Sequence, residues 1–360
     1  ETQIVVLNQK NNDEYYIEDA ENPKFSPDGN LLMYTKDLGK NNKEVNLLRL
    51  STFSSRKLLE AKNIQQLEWK SDGEEFFVLS AKGREDDDLY FESQSPIWFD
   101  GKGFLDNAKN KLQIYDIDTA SLLYEFEDER IFSAKWHEDK ILFAKMRERF
   151  QIVNFDILTL SEKEKEIIFE NVSFYPTASR NDKIILTGKP KKENHFEHNF
   201  HYLWDGENLN EITESQEYNC DGGMNSDIWR STEDLPSPCL DKRGNLYYTT
   251  DRGGKNYLEM MEGNDREILV NENAYITSYD VSDTGDIAFI KVSDKSFAEV
   301  YIKNKDQEAR KLSSLNSKLQ KRLNLKPMKH IKYSNEGLEI DGWYVAPNTT
   351  DGPSPLVVFV

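Results

Sequence analysis

The chain has 360 residues, and its 65 acidic and 46 basic side chains give a formal net charge of -19. This charge repels nucleic acid and anionic lipid, so neither is an expected partner; it mainly favours solubility, although it could attract cationic peptides. An aromatic content of 12% argues against a disordered chain. The length allows one large domain or two domains of ordinary size.

Only two cysteines, Cys220 and Cys239, are present, whereas a secreted fold held by disulfides would use more. We expect two reduced structural thiols in a cytoplasmic protein. No stretch approaches the ~18 apolar residues of a membrane span, so no membrane partner is predicted. The first residues, ETQIVVLN, show no signal-peptide pattern. Because residue 1 is Glu, a leader that has been removed stays an open alternative.

The first strong signal along the chain is a repeated hairpin pattern. The stretches NPKFSPDGNLLMYT (Asn22–Thr35) and IQQLEWKSDGEEFFVLS (Ile64–Ser80) each place an Asp-Gly turn between two short apolar strands. Asp-Gly tolerates the positive φ angles that tight hairpin turns need. Weaker copies of the same pattern begin at Ile131, Val172, Ser237 and Ala274.

The turns recur at intervals of roughly 40 residues, which is the period of a four-stranded β-propeller blade. Two longer intervals, Asp72–Glu138 and Asn181–Arg243, indicate insertions. The six copies lie between about Asn22 and Lys311, and QIVVLNQKNNDEYYIED ahead of them suggests the outer half of another blade. We therefore predict an all-β fold, a seven-bladed β-propeller with an incomplete first blade, over residues 1–314. A β-sandwich is the alternative, but it rarely repeats its turns at a fixed period.

The pattern changes after the last repeat. LNSKLQKRLNLKP (Leu315–Pro327) has near-helical apolar spacing and ends at a proline, which predicts a linker helix within residues 315–328. KHIKYSNEGLEIDGWYVAP (Lys329–Pro347) predicts a hairpin around Asn335-Glu336-Gly337. The final apolar run, LVVFV, predicts a buried strand of a parallel sheet. Residues 329–360 are therefore predicted to begin a further domain.

Four stretches together resemble one known family. They are FSPDG, SPIWFDGKGF in the insertion of the second repeat, KLSSLNSKLQKRLNLKPMKHIKYS in the linker, and EGLEIDGWYVAPNTTDGPSPLVVFV at the end. The last is the most specific. With them the chain resembles the prolyl oligopeptidase family of serine peptidases, and most closely its acylaminoacyl-peptidase-like branch.

The resemblance implies a propeller that caps an α/β-hydrolase domain and admits short peptides. In that family the strand similar to PLVVFV leads into a His-Gly-Gly stretch, and a Gly-x-Ser-x-Gly nucleophile, an Asp and a His follow. None of these motifs occurs in this chain, so the resemblance assigns no catalytic, cofactor-binding or metal residue to it. It implies peptide substrates, a C-terminal hydrolase domain and further copies of the chain as partners.

The five histidines are candidates for catalysis or metal binding. His137 lies at a blade turn and His330 begins a strand, and neither neighbours a nucleophile motif, so we expect no catalytic role. HFEHNFH spaces His195, His198 and His201 three apart, which on a helix could bind zinc. The repeat register instead favours a loop running into a strand, where this spacing alternates faces. We therefore expect no metal site.

Two other stretches could carry binding. REDDDLYFE (Arg84–Glu92) concentrates acid without calcium-loop spacing, so we expect a solvated loop; the alternative is an electrostatic contact to a basic peptide or to the following domain. Trp98, Phe99 and Phe104 of SPIWFDGKGF are predicted to pack their insertion onto its blade, with lining of a substrate cavity as the alternative. Trp343 is predicted to lie in the core of the hydrolase beginning.

Two functions compete. The chain is either the cap of a serine peptidase or a stand-alone binding propeller, which a fold alone does not exclude. The segment after Leu315 favours the cap, because a stand-alone propeller would end near Lys311 or in a polar tail. The sequence leaves aminopeptidase, acylaminoacyl-peptidase and endopeptidase action open. Without the rest of its domain, LVVFV is predicted to be poorly packed or exposed and to promote association.

Overall fold

The computed structural model divides the chain into two compact units, one of Glu1–Gln216 with Ser237–Gly244 and one of Glu217–Pro236 with Asn245–Val360. The residues that the structure describes are 2–11, 13–82, 98–99, 103–104, 109–148, 151–161, 164–189, 198–213, 219–220, 236–323, 325–347 and 352–358.

The first unit consists of antiparallel β-strands. Its strands are β1 (Gln3–Leu7), β2 (Glu14–Glu18), β3 (Ala20–Phe25), β4 (Leu31–Gly39), β5 (Asn42–Arg49), β6 (Ser54–Lys62), β7 (Ile64–Trp69), β8 (Glu75–Ala81), β9 (Trp98–Phe99), β10 (Gly103–Phe104), β11 (Lys109–Asp116), β12 (Leu122–Glu129), β13 (Ile131–His137), β14 (Lys140–Glu148), β15 (Gln151–Ser161), β16 (Glu164–Val172), β17 (Phe174–Arg180), β18 (Lys183–Gly188), β19 (Phe200–Trp204), β20 (Leu209–Glu211) and β21 (Cys239–Leu240).

The second unit continues the same pattern and then departs from it after the last blade. Its elements are β22 (Leu246–Arg252), β23 (Lys255–Glu262), β24 (Asp265–Asn271), β25 (Tyr275–Val281), β26 (Ile287–Ser293), β27 (Ser296–Lys303), β28 (Arg310–Lys311), helix α1 (Ser317–Arg322), β29 (Lys329–Asn335) and β30 (Leu338–Tyr344). Within the described residues, no helix is long and apolar enough to cross a membrane.

Six sheets contain four strands each, in chain order from one edge to the other. They are β3-β4-β5-β6, β7-β8-β11-β12, β13-β14-β15-β16, β17-β18-β19-β20, β21-β22-β23-β24 and β25-β26-β27-β28. These are the six repeats that the hairpin pattern predicted between about Asn22 and Lys311. The all-β propeller architecture is therefore confirmed. We number these sheets blade 1 to blade 6.

The prediction of seven blades is wrong. Strands β1 and β2 pair only with each other among the described strands, so the stretch that suggested half a blade is a separate two-stranded sheet. Ile4 of β1 packs with Ala20, Leu32 and Tyr34 of blade 1. Ile4 is thus buried by packing against a complete blade. The alternating pattern in the sequence is the same for a strand that packs on a blade and for a strand that belongs to one.

The turns between the first two strands of each blade have the predicted chemistry. Gly29 and Gly73 adopt φ angles of +72° and +77°, and the Gly29 amide donates to the Ser26 carbonyl at 2.8 Å. Blades 3 and 4 instead use two-residue turns in which Glu138 and Asn181 adopt positive φ. Positive φ favours Gly and Asn, so most of these hairpins can be read from sequence.

Hydrogen bonds join the first strands of successive blades in the first unit. The Trp69 indole N–H donates to the Lys24 carbonyl at 3.1 Å, and the Gln66 side-chain amide donates to the Ala134 carbonyl at 2.6 Å. The Ser133 hydroxyl donates to the Pro176 carbonyl at 3.1 Å. Because these bonds use backbone carbonyls, they fix neighbouring blades in register and satisfy buried polar groups.

The prediction for the final run is wrong in part. Leu356, Val357 and Val358 do not form a strand, and 82%, 80% and 67% of their respective surfaces are exposed. A buried strand needs neighbours that supply hydrogen bonds and cover, and none of the described strands pairs with this run. The beginning of an α/β-hydrolase domain is therefore not evident in the fold. The expected exposure of the run is confirmed.

Candidate domain interface

The hairpin of β29 and β30 has two chemically different faces. Its register pairs Ile331 with Gly342 and Tyr333 with Ile340, around a tight turn in which Glu336 and Gly337 adopt positive φ. Side chains alternate between faces along a strand. One face, which we call the hairpin apolar face, therefore carries Ile331, Tyr333, Leu338, Ile340 and Tyr344.

The opposite face of the hairpin is anchored on blade 5. The Trp343 ring lies against Gly254, in the turn between β22 and β23, so closely that a Cβ on Gly254 would lie 2.1 Å from the ring. His330 stacks on Trp343 with ring centroids 5.1 Å apart, and its Nε2 lies 2.6 Å from Asp341 Oδ1. Only glycine permits this close approach, so Gly254 is a docking position for the hairpin.

The hairpin apolar face is exposed. The exposed fractions of Ile331, Tyr333, Leu338 and Tyr344 are 45%, 52%, 69% and 43%. A two-stranded hairpin is marginally stable in water, and a contiguous exposed apolar patch on a soluble protein usually marks an interaction site. This face is therefore the candidate interface.

Helix α1 presents apolar residues to solvent in the same way. Leu319 lies in the helix, Leu315 and Leu323 flank its two ends, and all three are exposed. We call them the leucine stripe. Two polar side chains beside these leucines bind the blade: the Asn316 side-chain amide donates to the Ala298 carbonyl at 2.7 Å, and that of Gln320 donates to the Lys295 carbonyl at 2.6 Å. The helix thus turns its polar side toward the blade.

The structure brings His137 to a serine that the sequence did not indicate. Its Nδ1 lies 3.0 Å from the hydroxyl oxygen of Ser179, in the first strand of the next blade. Burial lowers the pKa of His137, which favours the neutral imidazole. The two residues are far apart in sequence, and only the blade packing joins them. Catalysis of this kind also needs an acid that orients the histidine, whereas the hydrogen bond described for His137 is to Ser179.

The three spaced histidines do not share a face where the structure describes them. His201 is fully buried in β19 with Nδ1 2.8 Å from the Thr187 hydroxyl, whereas His198 is exposed before the strand. His195 lies outside the described residues. In the part of the chain that the structure describes, no group of three His, Cys, Asp or Glu side chains could hold a metal ion.

The remaining candidates have mixed outcomes. The acidic stretch 84–92 lies outside the described residues. Trp98–Phe99 pairs with Gly103–Phe104 as a short hairpin, but the contacts of these side chains lie outside the described part of the structure. The prediction that Trp343 lies in a core is wrong for the described structure, because Trp343 lies against Gly254, stacks with His330 and remains 42% exposed. Cys220 and Cys239 are thiols, the first buried and the second partly buried.

No protein-family model matches the sequence, and no curated protein matches it. Solved structures do match. Acylaminoacyl peptidase from Pyrococcus horikoshii is 29% identical with a TM-score of 0.85, over 97% of this chain and 54% of the peptidase. An acylaminoacyl peptidase in complex with Z-Gly-Gly-Phe-chloromethyl ketone gives the same four values.

The β-propeller domain of the trilobed protease from Pyrococcus furiosus is 28% identical with a TM-score of 0.69, over 87% of each chain. The chain thus spans about half the length of the acylaminoacyl peptidases that it matches. These structures confirm the resemblance predicted from the sequence: the chain is similar to acylaminoacyl peptidase and to a propeller domain of the same kind of protease.

Proposed function

We propose that this chain is the substrate-gating propeller part of a serine peptidase that hydrolyses short peptides, with acylaminoacyl-peptidase or oligopeptidase-like action. The hairpin apolar face supports the proposal, because its exposed residues form an apolar surface of the kind that a hydrolase domain of the same polypeptide would cover. The matched peptidase from Pyrococcus horikoshii is longer than this chain, which covers 54% of it. That difference in length leaves room for a domain that covers the face.

The proposed division of the chain is a propeller over residues 1–314, a linker over 315–328 and the first segment of the hydrolase domain over 329–360. Helix α1 lies inside the proposed linker. In this arrangement the exposed run Leu356–Val358 becomes a strand when the hydrolase sheet supplies its neighbours. Its apolar β-branched composition suits such a sheet and gives it no role on a propeller surface.

The substrate class follows from the matched enzymes and from charge. One of those peptidases was solved with a peptide chloromethyl ketone, which supports peptides as ligands here. A net charge of -19 would favour approach of cationic or neutral peptides over anionic ones. We propose a cytoplasmic location, on the cysteine usage, and association of copies as homo-oligomers, on the family resemblance.

The test is made on the native protein, isolated from its source cells with an antibody raised against this chain. A fluorophosphonate probe should label a polypeptide larger than the 42.0 kDa of the chain, and that polypeptide should cleave acylated short peptides. The alternative, a stand-alone binding propeller, expects a band near 42.0 kDa that does not react with the probe. That second result would overturn the peptidase proposal.

The docking surface is tested separately. Tyr333→Lys places a charge on the hairpin apolar face and should reduce association of this chain with the following domain, or with itself, by roughly tenfold, since an unpaired charge in an apolar contact costs more than 1 kcal/mol. Ser334→Lys is the matched control, because Ser334 is equally exposed on the opposite face. Sedimentation velocity measures both. Equal effects from the two variants would contradict the assignment of the face.

A further inference from the structure

The linker is held on blade 6 by polar contacts along its length. Besides the bonds of Asn316 and Gln320 to β27 and its preceding turn, the Met328 amide donates to Asp294 Oδ2 at 2.7 Å. No residue of helix α1 is buried. A six-residue helix is not stable in isolation, so its position depends on these contacts rather than on apolar packing.

Glu299 of β27 is the centre of this attachment. Its side chain is fully buried, and its carboxylate accepts hydrogen bonds from the Leu315 and Asn316 amides, each at 3.0 Å. The Ser313 hydroxyl also donates to it, and Lys311 Nζ lies 3.5 Å away. One carboxylate thus engages the segment that leads directly into α1. Hydrogen bonds to an ionised group are about twice as strong as neutral ones.

Two asparagines make the equivalent contact between blades. Asn110, in the third strand of blade 2, accepts a hydrogen bond from the Ile131 amide of blade 3 at 2.9 Å. Asn256, in the third strand of blade 5, accepts one from the Ile276 amide of blade 6 at 3.1 Å. Glu299 lies in the third strand of blade 6. In all three cases a side-chain oxygen of a third strand accepts a hydrogen bond from a backbone amide of the segment that follows the blade.

We propose that Glu299 is a positioning residue for the domain that follows: its carboxylate holds the start of α1 on blade 6 in place of a next blade, and so turns the leucine stripe outward. This inference rests on the proposed function, since the stripe is presented to the hydrolase domain of the same polypeptide. A carboxylate suits the role because it accepts two backbone amides and a hydroxyl at once, whereas an asparagine amide has a single oxygen.

The direct test is Glu299→Gln in this chain. The glutamine NH₂ would face one of the backbone amides, donor against donor, so that bond is lost. Hydrogen exchange at Leu315 and Asn316 should accelerate by roughly tenfold or more, because bonds to charged groups are the stronger class. Trypsin should cleave after Lys321 and Arg322 several-fold faster. The milder Ser313→Ala should accelerate both processes less.

Glu259→Gln is the matched control. Among the described residues of this unit, Glu259 is likewise a fully buried carboxylate in ion pairs, with Arg252 at 2.8 Å and with Arg266, and both partners lie in blade 5. The Glu259→Gln variant should lower the stability of blade 5 and leave the amide hydrogen exchange of Leu315 and Asn316 within twofold of the wild type. The same acceleration in both variants, or none in Glu299→Gln, overturns the proposal.

If Glu299→Gln does not fold, Asn316→Ala and Gln320→Ala keep the test possible, because both change exposed or half-exposed side chains that donate to β27 or its turn. Each should loosen α1 toward trypsin while the thermal midpoint stays unchanged. Unchanged cleavage in both would contradict the polar attachment of the linker. These measurements need no hydrolase domain, so their failure and the failure of the fluorophosphonate test are distinguishable.

Discussion

Two hairpins of this chain differ in burial although their pairing and turns are alike. The hairpin of β7 and β8 and that of β29 and β30 are both antiparallel, and each has a turn glycine at positive φ, Gly73 and Gly337. Phe76 and Phe77 of β8 are fully buried, whereas every residue of β29 is exposed. Strand pairing is therefore a local property, whereas the burial of a hairpin depends on the elements that pack against its two faces.

The difference in burial between the two hairpins follows from the elements that pack against them. Phe77 packs with Trp136 and Phe143 of blade 3, while Phe76 packs with Met33 of blade 1. Both faces of β8 are covered because blades stand on either side of it. Among the described residues, the C-terminal hairpin rests on a blade through Trp343 on Gly254, and Ile331, Tyr333, Leu338 and Tyr344 of its other face are exposed. Its stability is thus expected to depend on a partner that the blades do not provide.

The largest expected effect contrasts these two hairpins directly. Phe77→Ala removes a fully buried ring and should lower the free energy of unfolding by about 3–5 kcal/mol, from lost burial and the cavity left behind. Tyr333→Ala on the hairpin apolar face should change it by less than about 0.5 kcal/mol. Urea unfolding followed by circular dichroism measures both. A cost at Tyr333 near that at Phe77 would mean that the hairpin is packed in solution.

An intermediate effect is expected at the one point where the C-terminal hairpin is anchored. Gly254→Ala and Gly253→Ala both place a Cβ on a residue with positive φ, +70° and +56°, and each should cost about 1–2 kcal/mol in backbone strain. Only the Cβ at 254 meets the Trp343 ring; nothing lies within 4 Å at 253.

Gly254→Ala should therefore also displace Trp343 from its contact. The measurement is the tryptophan emission of each glycine variant, compared with the same variant carrying Trp343→Phe, which isolates the signal of that ring. We expect a shift to longer wavelength for Gly254→Ala and none for Gly253→Ala. Identical spectra would show that Trp343 does not rest on Gly254.

The smallest expected effect is the pH dependence of a contact between two blades. Burial lowers the pKa of His137 below its usual 6.5, with a further lowering from Lys140 that Glu138 and Asp182 oppose. The unfolded chain then binds more protons than the folded one, so the contribution of His137 to stability is fully present above pH 6.5 and is lost as the pH falls below it.

His137→Gln removes this titration. The difference in urea midpoint between wild type and variant should therefore shrink as the pH is lowered from about 8 to about 5, because the wild type alone loses stability through this group. Other titrating groups are common to both proteins and cancel in the difference. A difference that stays constant with pH would mean that His137 remains accessible to protons in the folded state.

Much of the fold could be read from local chemistry. Asp-Gly turns such as Asp28-Gly29 need positive φ, and Gly29 adopts it, so the hairpins and their period were predictable. The linker helix and the turn at Gly337 follow from equally local signals, apolar spacing and a glycine. The family resemblance likewise rests on contiguous motifs.

The candidate interface was less predictable, since its features join residues distant in sequence. The sequence around Glu299 does not indicate that its carboxylate accepts a hydrogen bond from the Leu315 amide. The sequence around His137 likewise does not indicate a hydrogen bond with Ser179. Tryptophan is typical of a core, but only the tertiary structure shows that Trp343 lies against Gly254, a residue distant in sequence.

The sequence by itself determined the repeat, the turns, the strand alternation and the family resemblance, because each depends on residues within one hairpin or one motif. The tertiary structure decided the number of blades, the exposure of Leu356–Val358 and the faces of the C-terminal hairpin. These three features depend on which surfaces of the folded chain pack against each other. An apolar side chain such as Ile4 is equally satisfied by a strand partner or by a neighbouring face, and only packing distinguishes the two.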